Sequence, residues 1–344
     1  MTEARTGGEP RCEWSSPGWP LERVAIAEHH LMHRSLLTSL LAIALLAFPA
    51  TASAADALVA PDPAAEQVAA LDGTIVWVTG EFGRQRLMQR SPDGTISVVK
   101  GTRQARDYRH VDLGRDRDNK LLLTYLRCDA GGPCQALWND LDGRRATYRN
   151  LALPGCRVDT APAQWRTRIA YGLFCTGSTA NRKRSGLYVK SGSRKPVRLP
   201  RPKDAVRFGI TNIADVDLRS TRVAAVAADI YEYSFSQTTA GRNMASAFVA
   251  ASEGESDAHV RGIALGRANV HWTLTNSIHV GDPNETTIFR QQGECLQRER
   301  LVSASGSEEF LATYLAVDET TMYLVVPGTG IVIHTFTPDP TFTC

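Results

Sequence analysis

The sequence predicts an all-β protein built from a repeated unit of short strands, and three observations support this prediction. Runs of four to eight residues rich in Val, Ile, Leu and aromatic side chains recur along the chain, each after a polar turn. Helical periodicity of the apolar residues is not sustained anywhere after residue 55. The runs are spaced by 46 to 54 residues, which is typical of a repeated unit of four strands.

Six apolar runs mark the repeat. Their first residues, separated by 46, 48, 54, 47 and 52 residues, are Ile75, Leu121, Ile169, Val223, Val270 and Met322. An apolar segment precedes each run, a second run follows it, and a third, weaker run often comes next. Each unit therefore has up to four antiparallel strands, and the marked run is the second of them.

A four-stranded unit of this length predicts one blade of a β-propeller. A single sheet cannot bury both of its faces, whereas blades packed face to face around an axis bury them and protect the strand edges. We predict a β-propeller of six blades, each with up to four antiparallel strands. The sixth unit ends soon after its third strand, so we expect a strand from the N-terminus to complete it. Five or seven blades, or a pair of β-sandwiches, are the alternatives.

The spacing and strand pattern resemble the six-bladed, TolB-type propeller of exported bacterial proteins. The resemblance covers about residues 64–344 and rests on the period, not on family motifs. The Gly-His and Trp-Asp pairs of WD-repeat blades are absent from the sequence, so that family is not supported. The resemblance implies an exported protein with a propeller fold.

The N-terminal region also predicts export. His33 and Arg34 precede an apolar stretch of 13 residues, and Ala52-Ser53-Ala54 then supplies small residues for cleavage. This is the pattern of a secretory signal peptide, which we assign to residues 32–54. A membrane-spanning helix needs about 20 apolar residues, so we expect no stable membrane anchor.

The domain boundaries follow from this assignment. Residues 1–31 show no periodic pattern, and we exclude them from the fold as a start placed upstream of Met32 or as a disordered extension. Residues 55–344 then form a single propeller domain. In that domain 35 of the 39 basic and 31 of the 36 acidic residues remain, a net charge of +4. A weak, unclustered charge of this kind predicts no nucleic-acid partner.

The cysteines agree with export. Six of the seven lie after the predicted signal peptide, and an even number in an exported chain predicts disulfides. No C-x-x-C pair occurs, so a zinc site is not expected. The strand order of the predicted propeller brings together three pairs: Cys128 with Cys134, Cys156 with Cys175, and Cys295 with Cys344.

Ligand-binding residues are expected where the second-to-third and fourth-to-first strand connections meet at the mouth of the central channel. The longest such connection is predicted in the fourth unit, at Asp229–Asn243, before a third strand at 246–252. Tyr231, Tyr233 and Phe235 alternate there, so in an extended segment they share one face that can stack on a sugar or hold a peptide. The alternative is that they form the outer part of a longer strand.

The corresponding connection of the third unit carries a basic run, in which Arg182 and Arg184 are candidate contacts for an anionic group; a solvated loop is the alternative. In the fifth unit, His279, Asp282 and Glu285 match no metal-ligand spacing. The sequence contains no G-x-S-x-G, H-E-x-x-H or Walker motif. We therefore assign no catalytic residues, no metal ligands and no cofactor.

These features predict an exported, monomeric binding or scaffold module for an unknown protein or carbohydrate ligand. One alternative is a hydrolase or lyase that acts on glycans or lactones at the propeller mouth, because dispersed catalytic residues leave no linear motif. A further alternative is a passive envelope component whose loops contact a protein partner.

Overall fold

The structure, a computed structural model, describes the chain in ten segments. They are residues 56–129, 134–141, 146–200, 213–227, 229–234, 242–245, 259–276, 285–292, 295–302 and 314–340. The strands of these segments form one nine-stranded sheet and four four-stranded sheets. Within the described residues, no helix has the length and apolar character needed to cross a membrane.

The strands follow the sequence units in order. The first half of the described chain contains β1 (Ala57–Ala60), β2 (Ala65–Leu71), β3 (Thr74–Thr79), β4 (Arg86–Arg90), β5 (Ile96–Val98), β6 (Asp107–Arg115), β7 (Leu121–Cys128), β8 (Gln135–Asp140), β9 (Thr147–Tyr148), β10 (Cys156–Val158), β11 (Ala163–Trp165), β12 (Arg168–Cys175), helix α1 (Thr179–Arg182), β13 (Gly186–Ser191) and β14 (Val197–Arg198).

The second half contains β15 (Asp215–Arg219), β16 (Arg222–Ala227), β17 (Asp229–Ser234), β18 (Arg242–Ala245), β19 (His259–Leu265), β20 (Val270–Asn276), β21 (Glu285–Gln292), β22 (Cys295–Val302), β23 (Tyr314–Asp318), β24 (Thr321–Val326) and β25 (Gly330–His334). The six predicted apolar runs lie in β3, β7, β12, β16, β20 and β24. Each of these strands is bonded between the first and third strands of its unit, which confirms their predicted position.

Hydrophobic clusters lie between consecutive units. The first and second units share a cluster that contains Val76 and Tyr125, and similar clusters join the second to the third unit, the third to the fourth, the fourth to the fifth and the fifth to the sixth. A further cluster packs Trp77 of the first unit against Tyr323 of the sixth. Because both faces of a sheet are covered by its neighbours around a closed ring, the fold is a β-propeller.

The second and third units also join at their inner strands. β6 and β11 pair in parallel at Arg115 and Trp165, and this pairing unites the two units in the nine-stranded sheet. A Cβ atom on Gly114 would lie 1.8 Å from the carbonyl oxygen of Gln164. The close approach of the two backbones therefore requires glycine at this position.

The N-terminal strand closes the sixth unit as expected. β1 pairs antiparallel with β25, with Leu58 opposite Val332, so the sheet order is β1-β25-β24-β23. The outer edge of this sheet is thus supplied from the opposite end of the described chain. Closure of the ring depends on this pairing because it links the first described strand to the last.

The fourth unit corrects one prediction. Asp229–Ser234 is strand β17, paired along its length with β16, and Arg242–Ala245 is the fourth strand, β18. The predicted long connection at Asp229–Asn243 is therefore wrong, and Tyr231 and Tyr233 lie in a strand, as the alternative to a mouth loop expected. The third strand of the unit is β17, and the predicted third strand at 246–252 lies outside the described residues. Ile230, Tyr231 and Tyr233 are of residue types that favour a strand.

Two of the three predicted disulfides are present. Cys128 is bonded to Cys134, and Cys156 to Cys175. The second bond joins residues that face each other across β10 and β12, as the predicted strand order requires. Cys295 is disulfide-bonded, but Cys344 lies outside the described residues, so the third pairing stays a prediction. Because a disulfide restricts the unfolded chain more when it closes a longer loop, we expect the Cys156–Cys175 bond to contribute about 3 kcal/mol.

Candidate functional site

The inner strands of the units surround a small cavity in the propeller axis, with a volume of about 30 Å³. Parts of β2, β6, β15, β19 and β23 form its wall. Its polar side chains are His110, Asp112, Asp215, Asp217, Arg219 and Tyr314. A cavity needs about 10–15 Å³ to hold a water molecule. This cavity therefore has room for a group of about the size of a water molecule.

Strand alternation explains why charged side chains reach the axis. In β6, Val111 and Leu113 belong to the apolar cluster between the first and second units, while Asp112 lies between them and lines the cavity. In β15, Leu218 is buried in the cluster between the third and fourth units, and Asp217 lines the cavity. Successive residues of a strand point to opposite faces, so each inner strand contributes to both the core and the channel.

Two carboxylates of β15 connect the fourth unit to the fifth. Asp215 Oδ2 accepts a hydrogen bond of 3.1 Å from the backbone N–H of Ile263. Asp217 Oδ2 accepts one of 2.6 Å from the backbone N–H of Leu265. The inner edge of β19 would otherwise leave these donors without a strand partner. Both aspartates therefore have a structural role in joining adjacent blades.

Arg219 crosses the channel to the ring closure. Its Nη2 donates to the carbonyl oxygen of Ala70 at 3.1 Å and to that of Val317. These acceptors belong to the first and sixth units, whereas Arg219 ends β15 in the fourth. A single guanidinium thus connects three units and places a positive charge among the channel carboxylates.

The carboxyl groups of Asp112 and Asp217 have pKa values above their ordinary range. For Asp112 the main cause is burial, followed by the charge of Asp217, and Arg219 opposes both. For Asp217 burial is again the main cause, and Arg219 opposes it. Asp112 Oδ2 is shielded from solvent and has no hydrogen-bond partner in the described part of the chain. Ionisation of both carboxyl groups would therefore place more negative charge in the axis than Arg219 alone can balance.

His110, Asp215 and Tyr314 form the more accessible end of this site. Tyr314 Oη donates to Asp215 Oδ2 at 3.0 Å, and His110 Nδ1 lies 3.7 Å from Asp215 Oδ1. The side chains of His110 and Asp215 keep 25% and 14% of their surface exposed. Asp215 and Tyr314 are the first residues of β15 and β23, so the group lies where the fourth-to-first connections enter the channel. We call these three residues the channel mouth.

Two backbone irregularities shape the channel mouth. His110 has a φ of +52° at a bulge in β6, between Arg109 and Asp112. Gly262 has a φ of +70°, and a Cβ atom there would lie 3.1 Å from the Tyr314 ring. A left-handed backbone is unfavourable for histidine. The surrounding structure holds His110 in this conformation, which places its ring next to Asp215.

The aromatic residues predicted to bind a ligand do not lie in a loop. Tyr231 and Tyr233 are in β17, opposite Ala225 and Val223 of β16, and Phe235 lies outside the described residues. Their proposed role in ligand binding stays a prediction. The two tyrosines that would fill this role lie in a strand and not in a mouth loop.

The basic run of the third unit does lie in a second-to-third strand connection. Arg182 ends helix α1, between β12 and β13, and is exposed. Arg184 donates to the carbonyl oxygen of Pro154 at 3.1 Å and to Asn181 Oδ1 at 3.4 Å. Neither arginine lines the channel cavity, and their proposed contact with an anionic ligand stays a prediction.

Sequence reasoning missed the channel residues, although a signal was present. The tripeptide Val-Asp-Leu occurs at 111–113 and again at 216–218, in the first strand of two units. A charged residue between two apolar ones in a predicted inner strand indicates a polar channel. Among the described residues, no group of three or more His, Cys, Asp or Glu side chains is arranged to hold a metal ion.

Solved structures with a similar fold differ widely in sequence. TolB from Acinetobacter baumannii aligns with a TM-score of 0.46 and 13% identity, over 70% of this chain and 54% of its own. The Aleuria aurantia lectin in complex with Fucα1-6GlcNAc gives a TM-score of 0.43 and 10% identity, over 82% and 97%. The β-propeller domain of the Trilobed protease from Pyrococcus furiosus gives 0.42 and 10%, over 80% and 79%.

The chain thus spans about half the length of the TolB chain that it matches. No family model matches the sequence, and no curated protein matches it. The strand topology and the ring of apolar clusters define the class of the protein as a β-propeller with a narrow, charged central channel.

Proposed function

We propose that this protein is an exported, six-bladed β-propeller that binds a partner protein by receiving a primary ammonium group in the channel mouth. The observation that carries the proposal is the group formed by His110, Asp215 and Tyr314 at the entrance to an acidic cavity. The count of six blades is supported by the apolar clusters that connect each unit to the next and the last to the first.

The chemistry of the mouth favours an ammonium group. An ammonium has three N–H donors, and the mouth presents a carboxylate, a phenol oxygen and an imidazole nitrogen. The adjacent Asp112 and Asp217 add carboxyl groups deeper in the axis, and a bound cation would favour their ionised forms. A lysine side chain carries its charge on a flexible stem and can therefore place a group of about the size of water in a cavity of about 30 Å³.

The size of the cavity favours a binding function over hydrolysis of a glycan. Sites for small molecules have volumes of about 300–1,000 Å³, and a sugar ring cannot enter a cavity of about 30 Å³. Carboxyl groups with raised pKa values are common in catalytic sites, but they are also found in structural networks. Here one of the two, Asp217, is bonded to a backbone N–H of the neighbouring blade.

The proposal predicts selective binding of lysine-containing peptides. We expect the protein to bind N-acetyl-lysine methylamide weakly, at about millimolar concentration, and not to bind its Nε-acetylated form, which lacks the charge. Because Asn keeps one acceptor oxygen but removes the charge, Asp215→Asn should weaken binding about tenfold. NMR titration measures both effects.

The control for this experiment is Asp118→Asn, since Asp118 is exposed in the turn between β6 and β7 and should not affect binding. Equal binding of the acetylated compound, or unchanged binding by Asp215→Asn, would show that the channel mouth does not recognise an ammonium group.

Export is supported by the two described disulfides, which are typical of oxidising compartments. We expect the protein recovered outside the cytoplasm to begin near Ala55, and a peptide that links Cys295 to Cys344 to appear in a non-reducing digest. N-terminal sequencing and mass spectrometry of the same sample measure both features. A protein that retains residues 1–54 and free thiols would contradict the proposed export.

A further inference from the structure

A second cavity lies between the fifth and sixth units and is separate from the channel mouth. Its volume is about 290 Å³, close to the lower end of the range for small-molecule sites, about 300 Å³. Parts of β20, β21, β24 and β25 line it. The residues that bear on its chemistry are His271, Arg290, Met322, Ile333, His334 and Phe336.

Arg290 provides a positive charge in this cavity. Its Nε and Nη2 both donate to Gln297 Oε1, at 2.9 and 2.6 Å, and its guanidinium lies 4.4 Å from the centre of the Phe336 ring. Both of these partners are uncharged. Among the described residues, no carboxylate lies within ion-pair distance of Arg290. A half-buried guanidinium without a carboxylate partner is costly unless a ligand supplies the anion.

The acidic side chain whose charge acts on Arg290 is already engaged. Glu299 Oε2 accepts from His334 Nε2 at 2.8 Å and from the backbone N–H of Thr337 at 3.0 Å. Its charge influences Arg290, but its oxygen is held by other donors. This arrangement leaves the Arg290 guanidinium available to a molecule in the cavity.

His271 adds a second unsatisfied polar group. The residue is 6% exposed, and its Nδ1 has no hydrogen-bond partner in the described part of the chain. Burial is the main cause that lowers the pKa of His271, to about 3, so its ring is neutral at physiological pH. A neutral imidazole can donate or accept one hydrogen bond, which suits a small polar ligand beside Arg290.

We propose that this cavity binds a small organic carboxylate, with its carboxylate on Arg290 and its apolar part against Met322 and Ile333. A guanidinium pairs with a carboxylate through two parallel N–H donors. The apolar wall suits an aliphatic chain. A dianion such as phosphate is disfavoured because the Glu299 carboxylate lies nearby. The second basic group of the lining, His334, is already bonded to Asp56 and Glu299.

Titration of the full mature protein with hexanoate and with hexanamide, monitored by NMR, tests the proposal. We expect binding of hexanoate and no binding of hexanamide, which has the same shape without the charge. Arg290→Gln should weaken hexanoate binding at least about tenfold. The matched control is Arg149→Gln, because Arg149 also lies over an aromatic ring, 5.0 Å from the centre of Trp138, but outside the cavity.

A second variant keeps the test informative if Arg290→Gln does not fold. Thr320 is exposed at the rim of the cavity, and Thr320→Trp should block entry without removing the charge. Loss of hexanoate binding in either folded variant, with binding retained in Arg149→Gln, supports the site. Failure of the wild-type protein to bind hexanoate, or equal binding of hexanamide, overturns it. Asp215→Asn should leave hexanoate binding unchanged, so the outcome is independent of the channel mouth.

Discussion

Replacing Arg219 with methionine is expected to reduce the free energy of unfolding by about 3–5 kcal/mol, the usual cost of breaking a buried charge network. The substitution removes the donors to the carbonyl oxygens of Ala70 and Val317. It also removes the cation that lowers the pKa of Asp112 and Asp217. Urea denaturation at pH 7 measures the effect. Arg117→Met, at an exposed turn position, should change stability by less than about 0.5 kcal/mol.

The pH dependence distinguishes a lost charge interaction from lost packing. The folded pKa values of Asp112 and Asp217 lie above the unfolded value. The contribution of these two carboxyl groups to stability is therefore greatest below the unfolded pKa of about 3.9. It falls as the pH rises through the folded values. Without Arg219 both folded values rise further, so the electrostatic part of the penalty should be smallest in acid and grow as the pH rises.

A second substitution tests the coupling between these charges. Asp112→Asn removes one buried carboxylate, so in the Arg219→Met background it should restore part of the lost stability. If the two substitutions instead have additive, destabilising effects at pH 7, Arg219 stabilises the channel through packing and backbone hydrogen bonds, not through charge.

The sequence was sufficient to predict the second strand of every unit. These strands are covered on both faces by neighbouring sheets, so they appear as continuous apolar runs. Ile75 and Leu123, for example, are fully buried. The disulfide between Cys156 and Cys175 was predictable for a related reason, because the register of two adjacent antiparallel strands determines which residues meet.

The channel could not be predicted in the same way. Asp112 belongs to β6 and Asp217 and Arg219 to β15, and the proximity of these two inner strands depends on closure of the ring. The local pattern shows that Asp112 points away from the apolar cluster. It does not show that Asp112 and Asp217 lie close together in the channel. The same limit applies to Arg290 and His271, because the cavity that they line exists only where the fifth and sixth units pack together.

The fourth unit shows where a local pattern was assigned to the wrong element. The alternation of Tyr231 and Tyr233 fits one face of a mouth loop, and it also fits the strand that was the stated alternative. In the structure, β17 pairs with β16 along its whole length. Tertiary pairing with an available strand edge therefore determined the structure of this segment.

Replacing His334 with glutamine is expected to destabilise the protein by about 2–3 kcal/mol at pH 6 and to weaken ring closure. His334 is the last residue of β25 and has 7% of its side chain exposed. Its Nδ1 lies 3.0 and 3.1 Å from the two carboxylate oxygens of Asp56, and its Nε2 lies 2.8 Å from Glu299 Oε2. One imidazolium thus joins the N-terminal strand, the sixth unit and the fifth unit.

The charge of His334 makes this contribution depend on pH. Burial lowers the pKa of His334, but the hydrogen bonds and charges of Glu299 and Asp56 outweigh it and raise the pKa above its usual value. The stabilisation is therefore fully present below the unfolded pKa of about 6.5. It is lost as the pH rises through the higher folded value. The wild-type protein should be less stable at pH 9 than at pH 6.

Comparison of the wild-type protein with His334→Gln by urea denaturation at both pH values isolates this contribution from other titrating groups. The difference in the free energy of unfolding between the two proteins should be large at pH 6 and small at pH 9. Asp56→Asn should give a smaller effect with the same pH dependence, whereas Asp93→Asn, at an exposed turn, should give no such dependence. Hydrogen exchange should show faster opening of β1 in His334→Gln, because the imidazolium holds Asp56 next to that strand. A constant difference between pH 6 and pH 9 would mean that His334 acts by packing alone.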